Sequence, residues 1–402
     1  MSQSIGLAFL GTGDYKVAHY QWHDAPPIKT RYVQIAVQKT FDLDGFAVAM
    51  TESARAAHGD SLASCMAEQG VALQDLTIPA GNNEDEWWAM FETIVDAIPS
   101  DARLTIDVTH GFRSQPLIAL AIAVYLEAAT HVTVERIVYG SFRGAHKDAP
   151  ILDLTPFLDL IEWSVAARQF LRDGSAAQLA RLLKEAQAQA HKTDADVKPE
   201  HAQRTGNQLD GLTSAFAVVR PAEIAQERAS ALHAALEDLQ DDVARIKALR
   251  PLSFLLTRIQ ERVAPMQAAS LYTREGFMAQ REMMDFFLQT QQLQQAVTLA
   301  REALISHQAL QMGLSPEPVP QEAWDGCGRD RATDYLGALA DQHTGRSAEE
   351  KSLGDLWTRL TGIRNDINHA GMNAQPKKAM TLARNAKAVV EDVQTYLQNH
   401  PA

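Results

Sequence analysis

The chain has 402 residues, 46% apolar and 22% charged, with a net charge of −13; this is the profile of a folded protein of two or three domains, not a disordered one. The acidic balance argues against a stable coat on nucleic acid, and two cysteines, Cys65 and Cys327, are too few for a disulfide framework or a cysteine zinc site. The start lacks the basic region and long apolar stretch of a signal peptide. The longest apolar run, Leu117 to Leu126, is far below a membrane span, so a cytoplasmic protein is expected.

The first 155 residues alternate in kind. Ile5–Leu10 reads as a strand running into Gly11-Thr12-Gly13, and Tyr32–Val37 and Phe46–Met50 read as two more strands. Helical stretches follow at 52–69 and 84–98, then a strand at 104–108. A helix over 114–129 has Pro116 in its first turn, and Val132–Tyr139 is a further strand. Apolar strands separated by helices imply a parallel sheet covered on both faces. Its ligands would sit beyond the carboxyl ends of the strands, where the loops at Gly11, Thr51, Thr109 and Gly140 fall along one edge.

After Asp153 the pattern becomes helical. Pro156–Asp173 and 176–191 are amphipathic, with Gly174 as the stop of the first. Residues 193–211 read as a polar loop or linker, 221–307 as nearly all helical in period, and 313–330 as a Pro- and Gly-rich break. Two or three helices close the chain over 334–398. The expected domains are therefore 1–155, 156–265 and 266–402. Charge divides as well: residues 359–388 hold six basic side chains and one acidic, within an otherwise acidic chain.

The densest motif is Asp107-Val108-Thr109-His110-Gly111-Phe112-Arg113, a strand end, a polar glycine loop and a helix start. Such a junction offers backbone N–H groups to an anion, although glycine loops after strands are also often plain turns. Near the other end, Arg364 and His369 form one of four Arg-x(4–6)-His pairs, a number chance accounts for. The others are Arg103/His110, Arg228/His233 and Arg301/His307. Context separates Arg364/His369 from these. Leu356, Leu360, Ile363 and Ile367 make an apolar face, which turns Arg364, Asn365, Asn368 and His369 to the opposite side of one helix. Elsewhere His19 and His23, in a stretch read as loop, lack the remaining pattern of a metal site. Trp87 and Trp88 are expected to pack, and Met283, Met284, Phe286 and Phe287 to lie in a helical core.

The segments GTGDY (11–15), MTESA (50–54), DVTHGFR (107–113), VYGSF (138–142) and ILDLTPFLDLIEW (151–163) together resemble the CRISPR-associated CARF domain. In particular they are similar to the D-x-T-H-G branch of the CARF–HEPN ribonucleases of type III systems. The resemblance implies an α/β Rossmann-like sensor followed by an all-α HEPN-type effector, built as a homodimer. It implies a cyclic oligoadenylate activator, tetra-adenylate favoured, held by Gly11, Thr12, Gly13, Thr51, Thr109, His110, Gly111, Arg113 and Gly140; Asp107 would be either ligand or scaffold. In the effector, Arg364, Asn365 and His369 match the HEPN Arg-x(4–6)-His motif, which acts on single-stranded RNA without metal or other cofactor. The rival expectation is a non-catalytic regulator that binds a cyclic nucleotide and controls a partner protein or DNA.

Overall fold

The computed structural model describes residues 2–142, 148–192, 197–246, 249–250, 252–341, 344–372 and 375–401. Two compact units divide the chain at 161/162. In the first, β1 (Ser4–Leu10), β2 (Ala18–Trp22), β3 (Ile28–Thr30), β4 (Gly45–Met50), β5 (Ala72–Thr77), β6 (Arg103–Asp107), β7 (Thr133–Gly140) and β8 (Asp148–Asp153) form one sheet. The strand order is β3-β2-β8-β7-β6-β1-β4-β5. The five strands from β7 to β5 are mutually parallel, while β8 pairs antiparallel with β7 and carries β2 and β3 on its outer side.

Alternation along the central strands sends side chains to two separate cores. Leu7, Phe9, Ala47, Ala49, Leu104 and Ile106 face α4 (Glu84–Ala97) and α5 (Gln115–Ala129). Ala8, Leu10, Phe46, Val48 and Met50 face α1 (Val33–Phe41) and α3 (Asp60–Glu68). Between β4 and α3 the chain forms the short α2 (Glu52–Ala54) and a π-helical turn, Arg55–Gly59. A central strand buried on both faces shows no polar alternation, which is why these strands read as continuous apolar runs.

Several expectations need correction. Residues 32–37 form no strand: Val33 to Gln38 are all buried along α1, and a short apolar run does not by itself distinguish a buried helix from a buried strand. His19 lies on β2 instead of in a loop. The polar edge strand β5 buries Leu76 alone, leaving little periodic signal. Trp87 and Trp88 pack only in part: they are 46% and 57% exposed, the Trp87 indole N–H donating to Gly81 O at 2.8 Å and the Trp88 ring meeting Phe91 edge-on at 5.9 Å.

The second unit is helical: α6 (Pro156–Asp173), in which the division between units falls, α7 (Ala177–Lys192), α8 (Ala202–Ala217), α9 (Pro221–Glu223), α10 (Ala229–Arg245), α11 (Leu252–Val263), α12 (Arg274–Gln289), α13 (Leu293–Gln311), α14 (Gly328–Asp341), α15 (Ala348–Asn368) and α16 (Ala379–Asn399). One apolar core runs through it from Trp163 to Leu397. Met283, Met284, Phe286 and Phe287 are fully buried there, with Phe286 stacked on Phe216 at 4.5 Å. Of the polar stretch read as a loop, 193–196 lie outside the described residues and 202–211 belong to α8. That helix buries a narrow stripe of Thr205, Leu209, Leu212 and Phe216 under an otherwise polar surface. Among the described residues no helix is long and apolar enough to cross a membrane.

Candidate functional site

The crossover from β1 to β4 on one side and to β6 on the other makes a topological switch point, the place where an open sheet leaves a crevice. The loops after β1 and β6 meet there backbone to backbone: a Cβ on Gly11 would lie 3.5 Å from Gly111 Cα. Gly111 has φ +113°, and a Cβ on it would collide with Gln115 Oε1 at 1.9 Å. Gln115 is buried and accepts the Phe112 N–H at 2.8 Å, so the glycine lets the loop fold over that amide.

Asp107 shapes the same loop from beneath. Its Oδ1 accepts the Thr109 N–H at 3.0 Å and also the Thr109 hydroxyl, which in turn accepts the Gly140 N–H at 2.7 Å. The carboxylate is fully buried and its Oδ2 has no partner. Burial therefore pushes the group up to about 6, against the downward pull of the two Thr109 bonds. Here Asp107 is scaffold: it links the ends of β6 and β7. Thr51 caps α2 through its hydroxyl, 3.2 Å from the Ala54 N–H, beside a cavity of about 550 Å³ at the ends of β4 and β5. Thr12, Gly13 and Arg113 are exposed on the two loops. All nine candidate ligand residues thus lie at the carboxyl ends of β1, β4, β6 and β7.

Three further side chains belong to this edge. The Tyr15 hydroxyl accepts the Gly11 N–H at 2.8 Å, and its ring packs against His110 at 4.1 Å and His58 at 4.8 Å. His58 donates to Gly13 O at 2.8 Å and meets the Tyr32 hydroxyl at 3.3 Å. His58 sits in the π turn, a distortion that often marks functional positions. His110 Nε2 is buried without a partner, and burial, with His58 adding to it, drives the imidazole down to about 4. At neutral pH His110 is therefore an uncharged ring in an aromatic cluster. Tyr15 carries a sequence signal, four residues after Gly11; His58 and Tyr32 arrive through the fold.

The second constellation lies at the carboxyl end of α15. A capping box of Ser347 and Glu350 starts this helix, and Leu353, Leu356, Trp357, Leu360 and Ile363 bury one face. Asn365, Asn368 and His369 are exposed and Arg364 is half-buried, its Nη1 3.3 Å from Asn365 Oδ1. His369 closes the helix, with Ala370 and Gly371 both at positive φ behind it. Asp366 departs from its polar neighbours: it is buried, and its carboxylate accepts the Lys377 N–H at 3.2 Å, tying the α15–α16 connection down. Arg228 and Arg301, from the rival pairs, are instead engaged with Glu223 and Glu302. Buried His307 is within hydrogen-bond distance of His400 O. Among the described residues no group of three metal-ligating side chains occurs.

No family model matches the chain. Over 111 residues, 26% of the chain, it is 26% identical to CRISPR-associated protein MJ1674 of Methanocaldococcus jannaschii; the match spans 18% of that protein's length. Among solved structures it is similar to Enterococcus italicus Csm6 bound to cyclic hexa-2′-fluoro-hexa-dAMP. That match covers 98% of this chain and 94% of the other, at 10% identity and a TM-score of 0.44.

Proposed function

We propose that this protein is a cyclic-oligoadenylate-activated, metal-independent single-stranded endoribonuclease of type III CRISPR defence, cytoplasmic and acting as a homodimer. In this reading residues 1–155 sense the activator, 156–265 join the parts and 266–402 cut RNA. The observation that carries it is the meeting of the Gly11–Gly13 loop with the Thr109–Arg113 loop at the switch point. Four of the five segments resembling CARF domains lie at this edge, while 151–163 leads away from it along β8 into α6. The partial likeness to a CRISPR-associated protein supports the same assignment.

At the sensor edge, backbone N–H groups at Gly13 and Gly111, hydroxyls of Thr12 and Thr51, neutral His110 and Arg113 receive an anionic, adenine-bearing ring, while Gly11, Thr109 and Gly140, whose donors are engaged within the loops, shape the space around it. Cyclic tetra-adenylate is the favoured size. Coupling to the helical unit requires that the activator bind two states of the dimer unequally. In the effector, the 2′-hydroxyl of RNA attacks the adjacent phosphorus and the 5′-oxygen leaves, giving a 2′,3′-cyclic phosphate and a 5′-hydroxyl. His369 transfers a proton in this exchange, Arg364 holds the added charge on the phosphorane, and Asn365 orients them. Arg364 and His369 lie about 140° apart around α15, so two facing helices would complete the site. Fluorescent single-stranded RNA, incubated with chelator and a panel of cyclic oligoadenylates, tests the reading. Native protein is expected to cleave only with activator, while His369→Ala binds activator without cleaving. Activator binding with no cleavage by native protein would favour the regulator instead.

A further inference from the structure

Beside the proposed cutting residues, α15 and α16 enclose a groove of about 370 Å³, within the range of small-molecule sites, about 300–1,000 Å³. Gly362, Ile363, Ala388 and Val389 line it together with the polar Thr358, Arg359, Lys377 and Asn385. Gly362 is exposed, and a Cβ there would meet nothing within 4 Å. No close packing of α15 therefore demands a glycine at this point, and helix propensity disfavours it by about 1 kcal/mol. The absent side chain is what opens the groove.

The groove opens on the face of α15 that also carries His369. Counting about 100° per residue, Gly362 and His369 fall about 20° apart on α15 and about 10 Å apart along its axis. Lys377 joins them, since it lines the groove and its N–H binds Asp366, one turn before His369. Charge points the same way: residues 359–388 carry six basic side chains and one acidic, and that acid, Asp366, is buried. Lys377 Nζ stands 3.9 Å from buried Asp366, while Arg359 lies 2.7 Å from Asp392 and Lys387 3.8 Å from Glu391. Half-exposed pairs such as the last two are worth about 0–1 kcal/mol, so a phosphate can replace Asp392 or Glu391 at small cost.

We propose that this groove seats the nucleotide next to the scissile phosphate of a single-stranded RNA. Its base lies on Gly362, Ala388 and Val389, the Asn385 amide reads its edge, and Arg359 and Lys377 take the flanking phosphates. The proposal rests on the assignment of Arg364, Asn365 and His369 to RNA cleavage. Asn385 offers both a donor and an acceptor, and splayed single-stranded bases are read on such edges. Asn385 is therefore a specificity residue and Gly362 the opening that admits the base.

Full-length Gly362→Leu and Asn385→Ala, neither altering a cutting residue, test this. Activated cleavage of single-stranded RNAs varied around the cut should show KM raised about tenfold for Gly362→Leu with kcat within a factor of two. Asn385→Ala should lose base preference at one position while still cutting. Binding of a strand blocked by 2′-O-methyl groups, read by fluorescence anisotropy, should weaken about tenfold for Gly362→Leu. Unchanged KM, base preference and blocked-strand affinity would overturn the proposal. So would a Gly362→Leu protein that changes oligomeric state in sedimentation yet binds RNA normally, since the groove would then hold a second copy. Native protein that binds the blocked strand through the groove but cuts no RNA would instead fail the ribonuclease assignment alone.

Discussion

Asp107 and His110 lie three residues apart and titrate in opposed ways, which makes the acid stability of the sheet unit a test of their environment. Asp107 rises from an ordinary 3.8 to about 6, so between pH 4 and 6 the native state keeps a proton that the unfolded chain has lost. Its contribution to stability is complete below pH 4 and falls as pH rises to 6. His110 drops from 6.5 to about 4, so over nearly the same window the unfolded chain takes a proton that the native state refuses. Its contribution is complete above pH 6.5 and falls as pH drops to 4. Each shift spans about two units or slightly more, or about 3 kcal/mol at 1.36 kcal/mol per unit. The slopes, each about 1.4 kcal/mol per pH unit, cancel from pH 4 to 6. Removing either partner exposes the other. Relative to native protein, Asp107→Asn should lose about 3 kcal/mol more at pH 4 than at pH 6. His110→Phe, which keeps the ring against Tyr15, should lose the same amount in the other direction. Hydrogen exchange of the β1 and β6 amides in the full chain, corrected for intrinsic rates, reads both differences, and every other titrating group cancels in the comparison. Two pH-independent differences would refute the buried carboxylate with one unpartnered oxygen and the buried neutral imidazole alike.

Gly111→Ala should destabilise the sheet unit by about 1–3 kcal/mol through backbone strain alone. The clash with Gln115 adds to this, and the lowered melting temperature should come with loss of cyclic oligoadenylate binding. Tyr15→Phe keeps the ring but releases the Gly11 N–H for a phosphate oxygen. At about 1 kcal/mol for one hydrogen bond, titration calorimetry should show about fivefold tighter activator binding, and weaker binding would mean the hydroxyl itself contacts the ligand. Ser347→Ala removes the capping box of α15, a loss of about 1 kcal/mol. It should lower melting of the helical unit by about 2–4 °C, with cleavage retained at 25 °C.

Much of this molecule is written locally. Ile5–Leu10, Phe46–Met50 and Leu104–Ile106 lie in strands because central strands need apolar residues on both faces. Pro156–Asp173 is a helix because its periodicity and the positive-φ Gly174 admit little else. The glycine loop, the Thr109–Arg113 loop and the exposed end of α15 were legible for the same reason, each being a chemical grouping contiguous in the chain. Tertiary structure decided what contiguity could not. It turned Tyr32–Val37 into the start of a buried helix, because the sheet face beneath it needed cover, and it made strands of 18–22 and 72–77, whose pairing depends on neighbours distant in sequence. It brought His58 and Tyr32 to the loop at Gly11, buried Asp366 within a polar run, and opened a groove at Gly362 that α16 completes. Periodicity records which face of an element meets a core; only packing determines what stands opposite it. The net charge of −13 shows the same division: composition set its sum, but the fold places the basic stretch 359–388 along α15 and α16, around the residues proposed to meet RNA.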